Sequence, residues 1–320
     1  MKVLVTDNNQ ALIERLRDYG HECVVMPDCT YDELLQSVKE YDALVVRSKI
    51  NIDSHFIDNA LNLRCIGRIG AGMETIDVDY AESRGICCLN SPEGNRDAVG
   101  EHAVGLLLAL ADKIASADRE VRQGLWRREA NRGFEIKGRT VGIIGCGNMG
   151  TAFAKRLQGF ECQIIAYDKY KSAGYAPSFV EEVSLDELKS RADILSLHVP
   201  LTDETHYMVD EEFIASFAHP FYLVNTARGA VVKTSALADA MRQGKVLGAA
   251  LDVIEYEDMS KDGLDLKTLP PDFRYLLDSP CTVMTPHVAG WTVESRQKLG
   301  TVLAEKINTH LHSVNRKQKC

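Results

Sequence analysis

The run Val141-Gly142-Ile143-Ile144-Gly145-Cys146-Gly147-Asn148-Met149-Gly150, followed by Asp168 after Gln163-Ile164-Ile165-Ala166-Tyr167, constrains the fold more than any other feature. It reads as a buried strand, a glycine turn and a helix start, then a second strand ending in a carboxylate. Gly145 permits the tight turn, Gly147 lets the backbone approach a pyrophosphate, and Gly150 lets the helix pack close to the sheet. The helix N-terminus adds N–H groups and a positive dipole end. Asp168 stands 18 positions beyond Gly150. There a carboxylate can take both hydroxyls of an adenosine ribose and repel a 2′-phosphate. Strand, glycines, helix, strand and acid in that order predict a bound dinucleotide, NAD rather than NADP.

Around this run, short apolar segments alternate with amphipathic ones. Strands are expected at 3–6, 23–26, 43–46, 65–69 and 86–89, with helices at 9–19, 31–38, 54–60 and 77–83 between them. After a long helical pattern over 95–121 and a polar connector over 124–139, the alternation restarts. Strands are expected at 141–145, 163–167, 193–199, 221–225, 246–252 and 281–284. Helices fill 148–159, 184–189, 210–217 and 234–243, and a last one covers 292–311. Such alternation implies right-handed βαβ units, hence two doubly wound parallel-sheet α/β domains, the second a Rossmann dinucleotide-binding domain. The apolar stripe at 106–110 reads as a packing seam. The stretch 256–279 is polar, carries Pro270-Pro271, and is expected to be a long loop.

The 320 residues suffice for two cores. A net charge of −9 argues against nucleic-acid or anionic-membrane partners, while leaving room for a local basic pocket that takes a small anionic substrate. The longest apolar run, 103–111, has 9 residues, against about 20 for a membrane helix. The nine cysteines include no CxxC pair, so reduced buried thiols are expected, with no metal site. The opening strand follows no signal-like segment, and a cytoplasmic location is the expectation.

Three further motifs carry chemistry. Val224-Asn225-Thr226-Ala227-Arg228-Gly229 places an arginine after a strand, Leu251-Asp252-Val253-Ile254-Glu255-Tyr256-Glu257 places acids after the next, and Thr285-Pro286-His287-Val288-Ala289-Gly290 places a histidine after the last. Loops beyond the carboxyl ends of parallel strands meet at the ligand crevice. An arginine fork can hold a substrate carboxylate, a histidine can exchange the proton that accompanies hydride transfer, and a carboxylate on the imidazole fixes its tautomer. Each residue also has a plainer reading: Arg228 as a structural ion-pair partner, Glu257 as a solvated acid, His287 as a cap of the final helix.

With these motifs in order, and with Leu197-His198-Val199-Pro200-Leu201-Thr202 and Thr205 between them, the chain resembles the D-isomer-specific 2-hydroxyacid dehydrogenase family over essentially its full length. The resemblance implies an NAD-dependent oxidoreductase acting on a small 2-oxo or 2-hydroxy acid. Arg228 would anchor the substrate, His287 would be the acid/base and Glu257 its partner. Cofactor contacts would come from Gly145, Gly147, Asn148, Met149, Gly150, Asp168, Val199, Pro200, Thr205, Thr226, Ala227, Arg228 and Asp252. The segment Gly67-Arg68-Ile69-Gly70-Ala71-Gly72-Met73 matches the family segment whose backbone N–H groups, here those of Ala71, Gly72 and Met73, hold the substrate carboxylate; its plainer reading is a glycine turn after a strand. A flavodoxin-like substrate-binding domain would comprise 1–99 and 291–320 and an NAD-binding Rossmann domain 100–290, with the cleft between them.

Arg47 and Lys49 would suit a phosphate, which makes 3-phosphoglycerate the leading substrate; the plainer reading is a solvated basic pair. A regulatory domain after the last helix is not expected. Relatives are mostly dimers through the long helix and connector, which makes a homodimer the expectation. The same fold also serves NAD-sensing, corepressor-like binding proteins, and that alternative stays open. Family members usually carry a proline after the glutamate; here the residue is Asp258, and Glu255 is the competing acid.

Overall fold

The computed structural model describes residues 1–257, 263–264 and 266–317, with side chains described as far as Ser313. The chain forms two compact units. One comprises Met1–Arg96 with the C-terminal stretch from Trp291, the other Asp97–Gly290.

In the first unit, β1 (Lys2–Val5), β2 (Glu22–Val25), β3 (Ala43–Val46), β4 (Cys65–Arg68) and β5 (Cys87–Asn90) form an all-parallel sheet in the order β2-β1-β3-β4-β5. Because successive strand residues point to opposite faces, each strand feeds two cores. Leu4, Leu44, Val46 and Ile66 face α2 (Tyr31–Ser37), α3 (Ser54–Asn59) and α4 (Val78–Ser83) through Leu34, Phe56, Ile57 and Ala81. Val3, Val5, Ala43, Val45 and Cys65 face α1 (Gln10–Asp18) and, from the far end of the chain, Leu303, Ala304, Ile307 and Leu311 of the final helix. The Asn9 side chain caps α1 through Leu12 N and donates to Arg296 O at 2.8 Å.

In the second unit, β6 (Thr140–Ile144), β7 (Gln163–Tyr167), β8 (Glu181–Glu182), β9 (Ile194–Leu197), β10 (Phe221–Asn225), β11 (Val246–Leu251) and β12 (Thr282–Met284) lie parallel in the order β12-β11-β10-β9-β6-β7-β8. The chain builds outward from β6 in one direction and then from β9 in the other, so the switch point lies between β6 and β9. One face packs α5 (Pro92–Ala111) and α7 (Asn148–Leu157) through Leu107, Leu110, Phe153 and Leu157. The other packs α8 (Leu185–Arg191), α9 (Glu211–Ala215), α10 (Thr234–Arg242) and α11 (Pro271–Asp278) through Leu188, Phe213, Leu237 and Phe273.

Two expectations need correction. The helical pattern over 95–121 is two helices: α5 ends at Ala111 and α6 (Ile114–Arg122) starts after Lys113, which is left-handed at φ 52°. The stretch 256–279 is not all loop, because Pro271 occupies the first turn of α11. Proline is well placed there, where its missing N–H would have no helical acceptor. The final helix, α12, runs over Val293–Lys317. The eight described cysteines are free thiols, and Cys320 lies outside the described residues. Among the described residues no helix is long and apolar enough to cross a membrane, and no cluster of potential metal ligands occurs.

Candidate active site

Every residue of the second unit singled out in the sequence stands at or beyond the carboxyl end of a strand. The glycine turn follows β6, where Gly145 has φ +91° and a Cβ there would lie 2.5 Å from His198 O. At Gly150 a Cβ would lie 2.1 Å from Gly145 O, so α7 approaches the turn as only glycine allows. Gly147 is the N-cap residue of α7 and supplies no side-chain cap, which leaves first-turn N–H groups for an outside acceptor. Asn148 is exposed and Met149 half-buried. Asp168, one residue past β7, is held at the rim: its Oδ2 accepts from Cys146 N at 3.0 Å and its Oδ1 from Tyr170 N at 3.2 Å. After β10, the Thr226 Oγ1 atom is buried with no partner. A turn this tight, a carboxylate at the second strand's end and an orphaned hydroxyl fit a dinucleotide.

Beyond β9, Val199 is half-buried and Pro200 exposed. Thr205 ties the loop together: Oγ1 donates to Pro200 O at 2.6 Å and accepts from Thr202 N at 2.8 Å. Ala227 is buried, and Arg228 donates from Nη1 to Ala227 O at 2.7 Å. Gly229 then presses on the neighbouring loop, since a Cβ there would sit 1.8 Å from Ile254 O. The arginine loop after β10 and the acidic loop after β11 are therefore in direct backbone contact.

The two acids have different partners. Glu255 takes the Tyr207 hydroxyl at 2.6 Å on Oε1 and the Thr234 N–H at 2.9 Å on Oε2, capping α10. Burial alone would raise its pKa, but the Tyr207 and Thr234 hydrogen bonds outweigh this and hold it below the usual carboxylate range. Glu257 instead brings Oε2 to 3.0 Å from Nδ1 of His287. An ionised carboxylate can only accept, which assigns the hydrogen to Nδ1 and leaves Nε2 for proton exchange. His287 has φ 54°, a conformation that costs energy for a non-glycine residue and clusters at functional sites.

Asp252 is what holds that backbone. It is 1% exposed, and Oδ1 accepts from the Thr285 hydroxyl at 2.6 Å and Val288 N at 2.9 Å, while Oδ2 accepts from Ala289 N at 2.9 Å. The His287 N–H donates to the Asp252 main-chain oxygen at 2.7 Å. Burial would raise the Asp252 pKa, but His102, Thr285 and the Ala289 and Val288 N–H groups together keep it low. Both carboxylate oxygens are thus engaged by the histidine loop, an arrangement that suits a positioning role. His102, on α5, completes the network, with Nε2 3.0 Å from Thr285 Oγ1 and 3.4 Å from Asp252 Oδ1. Sequence reading assigned His102 no role; its distance of 183 positions from Thr285 left no local signal.

In the first unit, the turn Gly70-Ala71-Gly72-Met73 follows β4. Ser91 N donates to Gly70 O at 2.9 Å and Asn90 Nδ2 to Ala71 O at 2.7 Å, so β5 fixes the turn from beside it. Arg47, one residue past β3, has a partly exposed side chain that pairs with Asp7 Oδ2 at 3.4 Å and stacks 4.9 Å from the Trp291 ring centroid. Lys49 is exposed, with Nζ 4.0 Å from Asp28. Asp258 lies outside the described residues.

The sequence profile described as "D-isomer specific 2-hydroxyacid dehydrogenase, NAD binding domain" matches residues 104–289. A D-3-phosphoglycerate dehydrogenase of Archaeoglobus fulgidus is 39% identical over 309 residues, 96% of this chain and 56% of that protein. A hydroxypyruvate reductase of Thermotoga maritima is 40% identical over 276 residues, 86% of this chain and 87% of that protein. The crystal structure of a Thermus thermophilus protein superposes with a TM-score of 0.80 at 32% identity, covering 98% of this chain and 97% of that one. The chain spans just over half the length of several phosphoglycerate dehydrogenases it matches. The glycine turn, Asp168 and the histidine–glutamate pair all fall within the matched NAD-binding region, and the chain belongs to the D-isomer-specific 2-hydroxyacid dehydrogenase family.

Proposed function

We propose that this chain is an NAD-dependent oxidoreductase interconverting a small 2-oxo acid and its D-2-hydroxy acid. The observation that carries this reading is the 3.0 Å pair between His287 Nδ1 and Glu257 Oε2, on loops beyond adjacent strands of the NAD-binding unit. Bound NAD(H) would supply or accept the hydride at carbon 2. In the reductive direction Nε2 of His287 gives its proton to the carbonyl oxygen, so hydride and proton together complete the alcohol. Glu257 holds the ring in the tautomer this needs and balances the imidazolium charge before transfer. Arg228 binds the substrate carboxylate, and its guanidinium polarises the carbonyl. For Ala71, Gly72 and Met73, the family resemblance supports N–H contacts to a substrate carboxylate.

For the substrate, we propose the 3-phosphoglycerate/3-phosphohydroxypyruvate pair, supported by the names of the relatives and by Arg47 and Lys49. Arg47 contacts Asp7 and the Trp291 ring, and a side chain already partly ordered would lose less entropy on meeting an anion. A homodimer is likewise proposed, supported by the exposed Ile114 and Val121 of α6 with Trp126, which is 79% exposed; sedimentation of W126A as a monomer would support that surface.

The test follows NADH absorbance with a panel of 2-oxo acids, with hydroxypyruvate and 3-phosphohydroxypyruvate side by side. Preference for the phosphorylated compound, lost in R47A, supports the full reading. Preference for an unphosphorylated acid keeps the mechanism and removes Arg47 and Lys49 from it. Tight NADH binding without turnover on any acid would favour an NAD-sensing binding protein instead.

A further inference from the structure

The rim of the NAD-binding unit carries conflicting charges. Asp168 should repel a 2′-phosphate, yet Asp168-Lys169-Tyr170-Lys171 sets two ammonium groups beside it. A cation next to the ribose acid is what Rossmann sites use to accept a 2′-phosphate. Lys171 is taken up by the glycine turn, donating from Nζ to Cys146 O at 2.6 Å. Lys169 is held from the opposite side of the turn. Its Nζ hydrogen-bonds Glu204 Oε1, while the Tyr170 hydroxyl donates to Glu204 Oε2. Glu204 sits in the loop after β9, and Lys169 in the loop after β7; β6 lies between those strands. The pair therefore bridges over the switch point, one residue from the ribose acid. Lys169 and Tyr170 also hold the Glu204 carboxyl below its ordinary range, so it stays ionised at neutral pH.

We propose that Glu204 is a specificity-determining residue: it withholds Lys169 from a 2′-phosphate and so reinforces, from a second loop, the preference for NAD over NADP. The inference rests on the dinucleotide reading of this unit. Asp168 supplies the repulsion, and Glu204 removes the attraction that would offset it. Glu204 and Lys169 are both about half exposed, so replacing either leaves the core untouched.

The experiment needs no turnover. Isothermal titration measures 5′-AMP and adenosine 2′,5′-diphosphate, which differ only in the 2′-phosphate, on the intact chain. E204Q, which keeps an acceptor for Tyr170 and removes the charge, should raise the affinity ratio for the 2′-phosphorylated nucleotide about fivefold, the scale of one partly exposed charge pair. K169M alone should leave the ratio unchanged, and K169M/E204Q should return it to the wild-type value. The gain should also shrink as ionic strength rises from 0.05 to 0.5 M. A ratio unmoved by E204Q, or a gain that survives K169M, overturns the proposal while leaving the dinucleotide site intact. Failure of 5′-AMP to bind the wild-type chain overturns both.

Discussion

Replacing Asp252 with Asn tests whether this carboxylate holds the histidine loop or reads the cofactor. Two backbone N–H groups and the Thr285 hydroxyl converge on its oxygens at 2.6–2.9 Å in a site that is 1% exposed. An asparagine keeps one oxygen, and its NH2 must then face the Ala289 N–H or the Thr285 and Val288 donors. A buried donor left without an acceptor costs about 1–3 kcal/mol, and each charged hydrogen bond made neutral loses about 1 kcal/mol more. Because these bonds share one network, the sum is a range: about 2–5 kcal/mol. Hydrogen exchange without any ligand reads this directly. The Val288 and Ala289 amides should exchange at least about thirtyfold faster in D252N, the factor that corresponds to 2 kcal/mol. Since the folded pKa is depressed, the carboxylate stabilises the unit above the unfolded value near 3.8 and loses that contribution as pH falls through the folded value. The difference between wild type and D252N should therefore be constant from pH 8 to 5 and shrink below pH 4. Unchanged exchange in the ligand-free protein, together with weakened NADH binding, would refute the positioning role and restore the cofactor contact.

Other perturbations separate the remaining roles. H287A should lower kcat by about 10²–10⁴ with NADH affinity little changed in fluorescence titration, and retained turnover would remove His287 from the proton path. E257Q and E255Q should part company: the first should cut turnover with a small change in urea midpoint. The second should cost about 1–2 kcal/mol by uncapping α10, an effect that fades as pH falls through the lowered Glu255 pKa. G229A drives a Cβ to 1.8 Å from Ile254 O and should separate the Arg228 and Glu257 loops, lowering kcat/KM at a cost of about 1–3 kcal/mol in stability. K113G should do the opposite of harm, raising stability by about 1 kcal/mol in thermal melts, because glycine adopts the φ of 52° without strain.

Much of this was legible from periodicity. The central parallel strands, such as Ala43–Val46 of β3, are short and mostly apolar, and their order along the chain dictates which loops share the carboxyl edge. What escaped had no such signature. The break at Lys113 carries neither glycine nor proline, so 95–121 looks continuous until the backbone is seen. In α11, Pro270-Pro271 resembles a breaker because the same residue that interrupts a helix interior is favoured at its first turn. β8 is two glutamates long, too short and too polar to register as a strand. At the site, spacing could not rank Glu255 against Glu257. Their partners, Tyr207 and His287, come from loops 48 and 30 positions away. The hydrogen bonds of Asp252 to the histidine loop were not legible either, since an acid after a strand looks alike whether it meets a ligand or a backbone loop.

The packing of α12 on the first sheet has a consequence for how the polypeptide is made. Val3, Val5, Ala43 and Val45 emerge early from a ribosome, whereas Leu303, Ala304, Ile307 and Leu311, which cover them, come last. Between the two lies an entire unit that can close on itself. Synthesis order and folding order are thus inverted: the unit that starts first finishes last, and until then α1 alone covers a sheet face that α12 is needed to close.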